Sequence, residues 1–169
     1  MESNPYNYVK LNTDGSSLGN PGLARAGGVF RDHVGNWILG YSRNVLFTTS
    51  LSVELWALRD GLILATNRRF AKLIVEIDSR IAQLLINAPD NAFHSLGVLI
   101  SDCRMLLSKL PYVQFVHVFR EANSVANQLA KLGPKLDSSF VVMEQCPPEL
   151  NFCLYHDVIG NQVPRTISV

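Results

Sequence analysis

Polar and apolar residues alternate from Tyr8 to Asn12, and the run ends in Thr13-Asp14-Gly15-Ser16, which predicts a strand leading into a turn. Gly19-Asn20-Pro21-Gly22 is a second, denser turn signal. Ala26 to Arg31 and Trp37 to Val45 are apolar, strand-like runs separated by His33 to Asn36, so a hairpin joins them. Ser52 is the predicted N-cap of a helix reaching Asn67, because Leu55, Leu58, Leu62 and Ala65 recur at helical spacing. Leu73 to Asp78 is a short apolar strand, and Ser79 caps a helix that runs through Asn87 and breaks at Pro89 and Asp90. A further helix is predicted over Ser95 to Lys109, a strand over Tyr112 to Phe119, and a last helix over Glu121 to Leu132, stopped by Gly133-Pro134. Beyond Val141 the pattern is less regular, and Cys146-Pro147-Pro148 opens a short helix.

Three strands in succession, then strands alternating with helices, predict an α/β sheet. It begins as an antiparallel meander and continues with parallel, right-handed crossovers. The expected organisation is an N-terminal extension (1–7), one domain (8–133) and a C-terminal extension with a short helix (134–169). Composition fits: 47% hydrophobic and 17% charged residues argue against disorder. The formal net charge of +1 makes no case for a polyanion partner, so any such reading must rest on a local site. Three cysteines without a CxxC pair predict free thiols rather than a disulfide framework or zinc site. No run is apolar enough to span a membrane and none resembles a leader, so the expectation is an intracellular protein, nuclear or cytosolic.

The candidate chemistry lies in three acids. Asp14 and Asp78 each close an apolar strand, and Glu54 stands at the start of a helix. Taken singly, these are ordinary positions for a turn residue, a strand-end acid and a charge complementing a helix dipole. If the first and fourth strands are neighbours, however, Asp14 and Asp78 meet at a carboxyl end of the sheet, where sites on open sheets gather. Clustered carboxylates repel one another, and a hard divalent cation such as magnesium relieves that repulsion.

The surrounding words are specific. Asn12-Thr13-Asp14-Gly15-Ser16-Ser17-Leu18-Gly19-Asn20-Pro21-Gly22, Glu54-Leu55-Trp56-Ala57-Leu58, Ile77-Asp78-Ser79 and Arg120-Glu121-Ala122-Asn123-Ser124-Val125-Ala126-Asn127-Gln128-Leu129-Ala130 resemble, in order, the four catalytic segments of the ribonuclease H family. The match spans roughly Tyr8 to Leu132, and its wording is nearest the plant, reverse-transcriptase-like branch derived from retroelements. The resemblance implies a five-stranded mixed sheet flanked by helices and metal-dependent endonucleolytic cleavage of the RNA strand of RNA–DNA hybrids. It implies two Mg2+ ions, with Mn2+ as a substitute, clamping both oxygens of an in-line displacement. Asp14 would bridge them, Glu54 and Asp78 would complete the set, and Asn127 would take the place of a fourth acid. The family normally has Asp there; Asn offers one carbonyl oxygen and no charge, which predicts a weaker second metal. His117, ten residues before Asn127, resembles the family's histidine for proton transfer or product release, with a packed strand histidine as the competing reading.

By the same resemblance Gly15, Ser16 and Asn20 approach the minor groove, Thr49 touches a DNA-strand phosphate, and Arg80 reaches a phosphate. Leu51 stands where cellular members carry a polar reader. Ser79 to Leu110 contains no Trp and only Arg80, Arg104 and Lys109 as cations, so the basic handle of cellular enzymes is not evident. Arg68, Arg69 and Lys72 read as a solvated loop. The expected partners are a hybrid and a neighbouring reverse-transcriptase or nucleic-acid-binding domain, with no membrane, and the chain is expected to be a monomer. Two rivals stay open: a catalytically impaired hybrid- or RNA-binding module, and a metal-dependent nuclease with a DNA substrate on the same fold.

Overall fold

Backbone pairing, rather than turn chemistry at Asp14-Gly15, sets the length of the first strand. In the computed structural model, which describes residues 7–89, 94–133 and 138–160, β1 is Val9–Gly19 and β2 is Gly22–Arg31. They pair antiparallel without interruption from Lys10↔Arg31 to Gly19↔Gly22. Asp14 therefore lies in mid-strand opposite Gly27, not at a strand end as its sequence predicted. β3 (Trp37–Thr48) completes the meander, and the Asp32 carboxylate closes the turn before it by accepting from the N–H groups of Val34 and Asn36. β4 (Lys72–Ile77) runs parallel to β1 on its other side, and β5 (Tyr112–His117) runs parallel to β4.

The sheet has six strands, in the order β5-β4-β1-β2-β3-β6, where five were expected. The sixth, β6 (Phe140–Met143), pairs antiparallel with β3 at the sheet edge. Four residues are too few to display a clear period of two, which is why the sequence left it irregular. The expected breaks at Asp90 and Pro134 and the segments 1–6 and 161–169 lie outside the described residues.

The helices are α1 (Ser50–Asn67), α2 (Arg80–Asn87), α3 (Gly97–Lys109), α4 (Ser124–Leu132) and α5 (Asn151–Gly160). Ser79 caps α2 as predicted, its hydroxyl accepting from the Ala82 N–H at 3.2 Å. α1, however, is capped by Thr49, whose hydroxyl accepts from the N–H of the predicted cap, Ser52, at 3.2 Å. The first residues of the predicted last helix form a 3-10 turn, Arg120–Asn123, before α4. α1 and α3 bury Leu11, Phe30, Tyr41, Leu58 and Val75 on one face of the sheet. α4 and α5 bury Val29, Val125, Leu129 and Leu150 on the other. A side chain on Gly27 would collide with the backbone of Leu129 and Ala130, so α4 lies directly on β2. That close approach brings Asn127 over Asp14.

A candidate metal and nucleic-acid site

The parallel ladder between β1 and β4 ends at Thr13↔Ile77, so Asp14 and Asp78 leave it side by side. Glu54 reaches them from α1. It sits in the second turn rather than the first, where the helix dipole no longer accounts for its charge. Gly15 makes this approach possible: a Cβ there would lie 2.6 Å from Val53 Cγ1 and 2.8 Å from the Glu54 nitrogen. One carboxylate oxygen from each of Asp14, Glu54 and Asp78 lies within 4.8 Å of the others.

The electrostatics carry the signature of crowded acids. Asp14 is only 3% exposed. Its carboxyl is pushed up to about 6, first by burial and then by the charge of Asp78, while hydrogen bonds from Asn127 and Glu54 pull it down. Glu54 is raised well above the ordinary carboxylate range, again first by burial, then by Asp14 and Asp78. A donor set of hard oxygens holding surplus negative charge fits a divalent cation of the magnesium class.

Asn127 does reach the cluster: its Nδ2 donates to Asp14 Oδ2 at 2.6 Å. In that orientation it steadies Asp14 with an N–H. His117 ends β5, with Nε2 3.1 Å from the backbone oxygen of Asp78 and its ring edge-on to Phe119. It is thus half-buried, beside the residue that follows β4. Gly15 and Ser16 continue β1 beyond the acid. Asn20 is in the hairpin turn, and its Oδ1 accepts from the Ser50 N–H at 3.0 Å, tying that turn to the start of α1. Thr49 is exposed at the same helix end, and Arg80 is exposed on the first turn of α2.

Two neighbours went unnoticed in the sequence. Arg120 holds Nε 3.7 Å from Asp78 Oδ2 while remaining 85% exposed. Asn123 is fully buried, and its Nδ2 donates to the Thr13 oxygen at 2.8 Å, fastening the start of α4 beside Asp14. Both stand inside the fourth quoted segment, whose wording was the only available signal.

A protein-family model described as reverse transcriptase-like matches residues 12–133. The chain belongs to the reverse transcriptase-like branch of the ribonuclease H family. Over 162 residues, 96% of the chain, it is 36% identical to an Arabidopsis thaliana protein named "Putative ribonuclease H protein", and it spans 26% of that protein's length. Among solved structures, ribonuclease H1 of Halobacterium salinarum superposes with a TM-score of 0.68 at 28% identity, covering 73% of this chain and 95% of that one. LC11 ribonuclease H1, solved in complex with an RNA/DNA hybrid, superposes with a TM-score of 0.66 at 26% identity, covering 74% and 95%. The family's α/β fold is the one described above, with β6 added at its edge.

Proposed function

We propose that the chain is a metal-dependent endonuclease that hydrolyses the RNA strand of RNA–DNA hybrids. The observation that carries this reading is the convergence of Asp14, Glu54 and Asp78 to within 4.8 Å in a family whose relatives are named for that activity. Two magnesium ions, with manganese able to substitute, would be held by these three residues, activating a water and stabilising the leaving 3′ oxygen. The chain's own contribution is placement. Gly15 lets α1 carry Glu54 up to β1, Asn123 fixes α4 beside Thr13, and Asn127 orients Asp14 through its amide. Arg120 stands at the open side of Asp78, where a cation can meet a phosphate. Ser16, Asn20, Thr49 and Arg80 are the proposed contacts to the two strands.

A second reading has one specific observation behind it. Asn127 donates to Asp14 where the family's usual acid would offer oxygens, which favours a hybrid-binding module with impaired cleavage. One assay separates the two: a labelled RNA–DNA hybrid incubated with the chain under magnesium and manganese titration, beside Asp14→Asn. RNA-strand cleavage that the variant abolishes supports the nuclease. Retained hybrid binding with no cleavage in either metal moves the reading to the binding module.

A further inference from the structure

Beyond Asp14 the hairpin formed by β1 and β2 continues with its α4-facing side uncovered. Successive residues on that side of β1 are Asp14, Ser16 and Leu18. Their partners on β2 are Gly27, Arg25 and Leu23, and Phe47 of β3 lies opposite Leu23. Leu18, Leu23 and Phe47 are 81%, 63% and 67% exposed, a contiguous apolar strip at the end of a sheet. Large exposed apolar groups in contact with one another mark a binding surface more often than chance exposure does.

Two cations frame this strip. Lys131 stands four residues after Asn127 on α4, so both project from the same side of that helix, about 6 Å apart at their Cβ atoms. Arg25 reaches across to it, Nη1 donating to the Lys131 backbone oxygen at 3.1 Å. Its side chain lies over Gly133, where a Cβ would come within 2.6 Å of Arg25 Cδ. The guanidinium is thereby tethered to the end of α4, while the Arg25 side chain remains exposed. Ser16, Leu18, Leu23, Arg25 and Lys131 line a shallow depression of about 170 Å³. Neither cation has a carboxylate partner among the described residues. No acidic residue occurs between Asp14 and Asp32, nor from Trp37 to Val53, so these segments carry no carboxylate to oppose the two cations.

We propose that Arg25 and Lys131 form a phosphate seat for the RNA strand beyond the cleaved bond, with Leu18, Leu23 and Phe47 receiving the sugars that follow. This rests on the hybrid-nuclease reading and adds a substrate contact to it. The occupant is argued from charge and continuity. A tethered guanidinium beside an ammonium suits a phosphate, and the depression begins at Ser16, two residues beyond Asp14 on β1. It also gives the chain an anchor in place of the basic handle missing between Ser79 and Leu110. Arg104, one of three cations there, is engaged with backbone oxygens of Leu85, Ile86 and Ala88.

The test is the salt dependence of hybrid affinity, measured by fluorescence anisotropy with calcium replacing magnesium so that the hybrid is held rather than cut. Wild type, Arg25→Ala, Arg25→Ala/Lys131→Ala and Arg25→Lys are compared, with thermal unfolding of each as the folding control. Each lost phosphate contact lowers the slope of log affinity against log salt by about 0.7–0.9. The expectation is one such decrement for Arg25→Ala, two for the double variant, and a slope restored by Arg25→Lys. A variant that only loosens the hairpin would weaken binding without changing the slope. Wild-type binding with all slopes unchanged overturns the seat alone, leaves the nuclease reading standing, and assigns the apolar strip to a protein partner. Absence of hybrid binding by wild type at every salt concentration overturns both.

Discussion

Asp14 sets a pH dependence that has the opposite sign to that of a salt-bridged acid. Its folded carboxyl is raised to about 6 from 3.8, so the anion is disfavoured by folding. The penalty is absent below the unfolded value, grows as pH rises through the window between the two, and is complete above the folded value. Without metal the protein should therefore be more stable at pH 5, where part of the penalty is already present, than at pH 7.5, by about 1.4 kcal/mol from Asp14, with Glu54 acting in the same direction. Calorimetry in a chelator at the two pH values checks this; a melting temperature that falls on acidification contradicts it. Added magnesium competes with the proton and should stabilise far more at pH 7.5 than at pH 5. Asn127 belongs to the same balance. Asn127→Asp would put a fourth carboxylate where an amide now donates to Asp14, so the metal-free variant should be less stable at pH 7.5. Its magnesium affinity should rise by roughly tenfold, the size of one added favourable contact. Titration calorimetry reads that affinity directly, and an unchanged value would remove Asn127 from the metal's surroundings.

The elements that hold these residues include one the sequence described only as a short helix. Asp157 of α5 accepts from Ser124 Oγ at 2.5 Å and pairs with Arg31 at 3.2 Å, and Arg31 in turn donates to Asn12 at 2.7 Å. Arg31 and Asp157 side chains are 3% and 6% exposed. Removing one partner of such a pair leaves a buried charge, at a cost of about 3–5 kcal/mol. Asp157→Ala should lose that much in urea unfolding with little change in m; a loss near zero would show that α5 is not docked through this pair. Local signals were legible. The apolar run before Asp78, the Ser79 cap and the Asp32 turn each carry their cause within a few residues, and the three acids were readable because each stood in a specific phrase. Non-local causes were not. The length of β1 depends on its pairing with β2, and Thr49 wins the α1 cap over Ser52 partly because Asn20 takes the Ser50 N–H. β6 exists only because β3 offers it an edge. Arg25 is an isolated charge among apolar strand residues, and only the position of α4 gives it a partner.

For the whole molecule, affinity and chemistry should be separable. The net charge is +1, and Lys10, Arg31, Arg43, Arg59 and Arg68 are each committed to a carboxylate of the fold. With five of the fifteen cations neutralised internally and a net charge near zero, the long-range attraction that dominates nucleic-acid affinity should be weak here. The site itself is built by buried contacts between β1, β4, α1 and α4, none of which depends on that attraction. A tethered basic hybrid-binding domain would raise the local substrate concentration without touching these contacts. The chain spans 26% of its Arabidopsis relative, a proportion that leaves room in that protein for such a neighbour. Steady-state cleavage by the chain alone and by the chain fused to such a domain should give equal kcat and a KM lowered about 100-fold at low salt, within the range that tethering provides. The advantage should shrink as salt screens the added domain. A fusion that raised kcat instead would show that the isolated chain positions its acids poorly and that the neighbour completes the site.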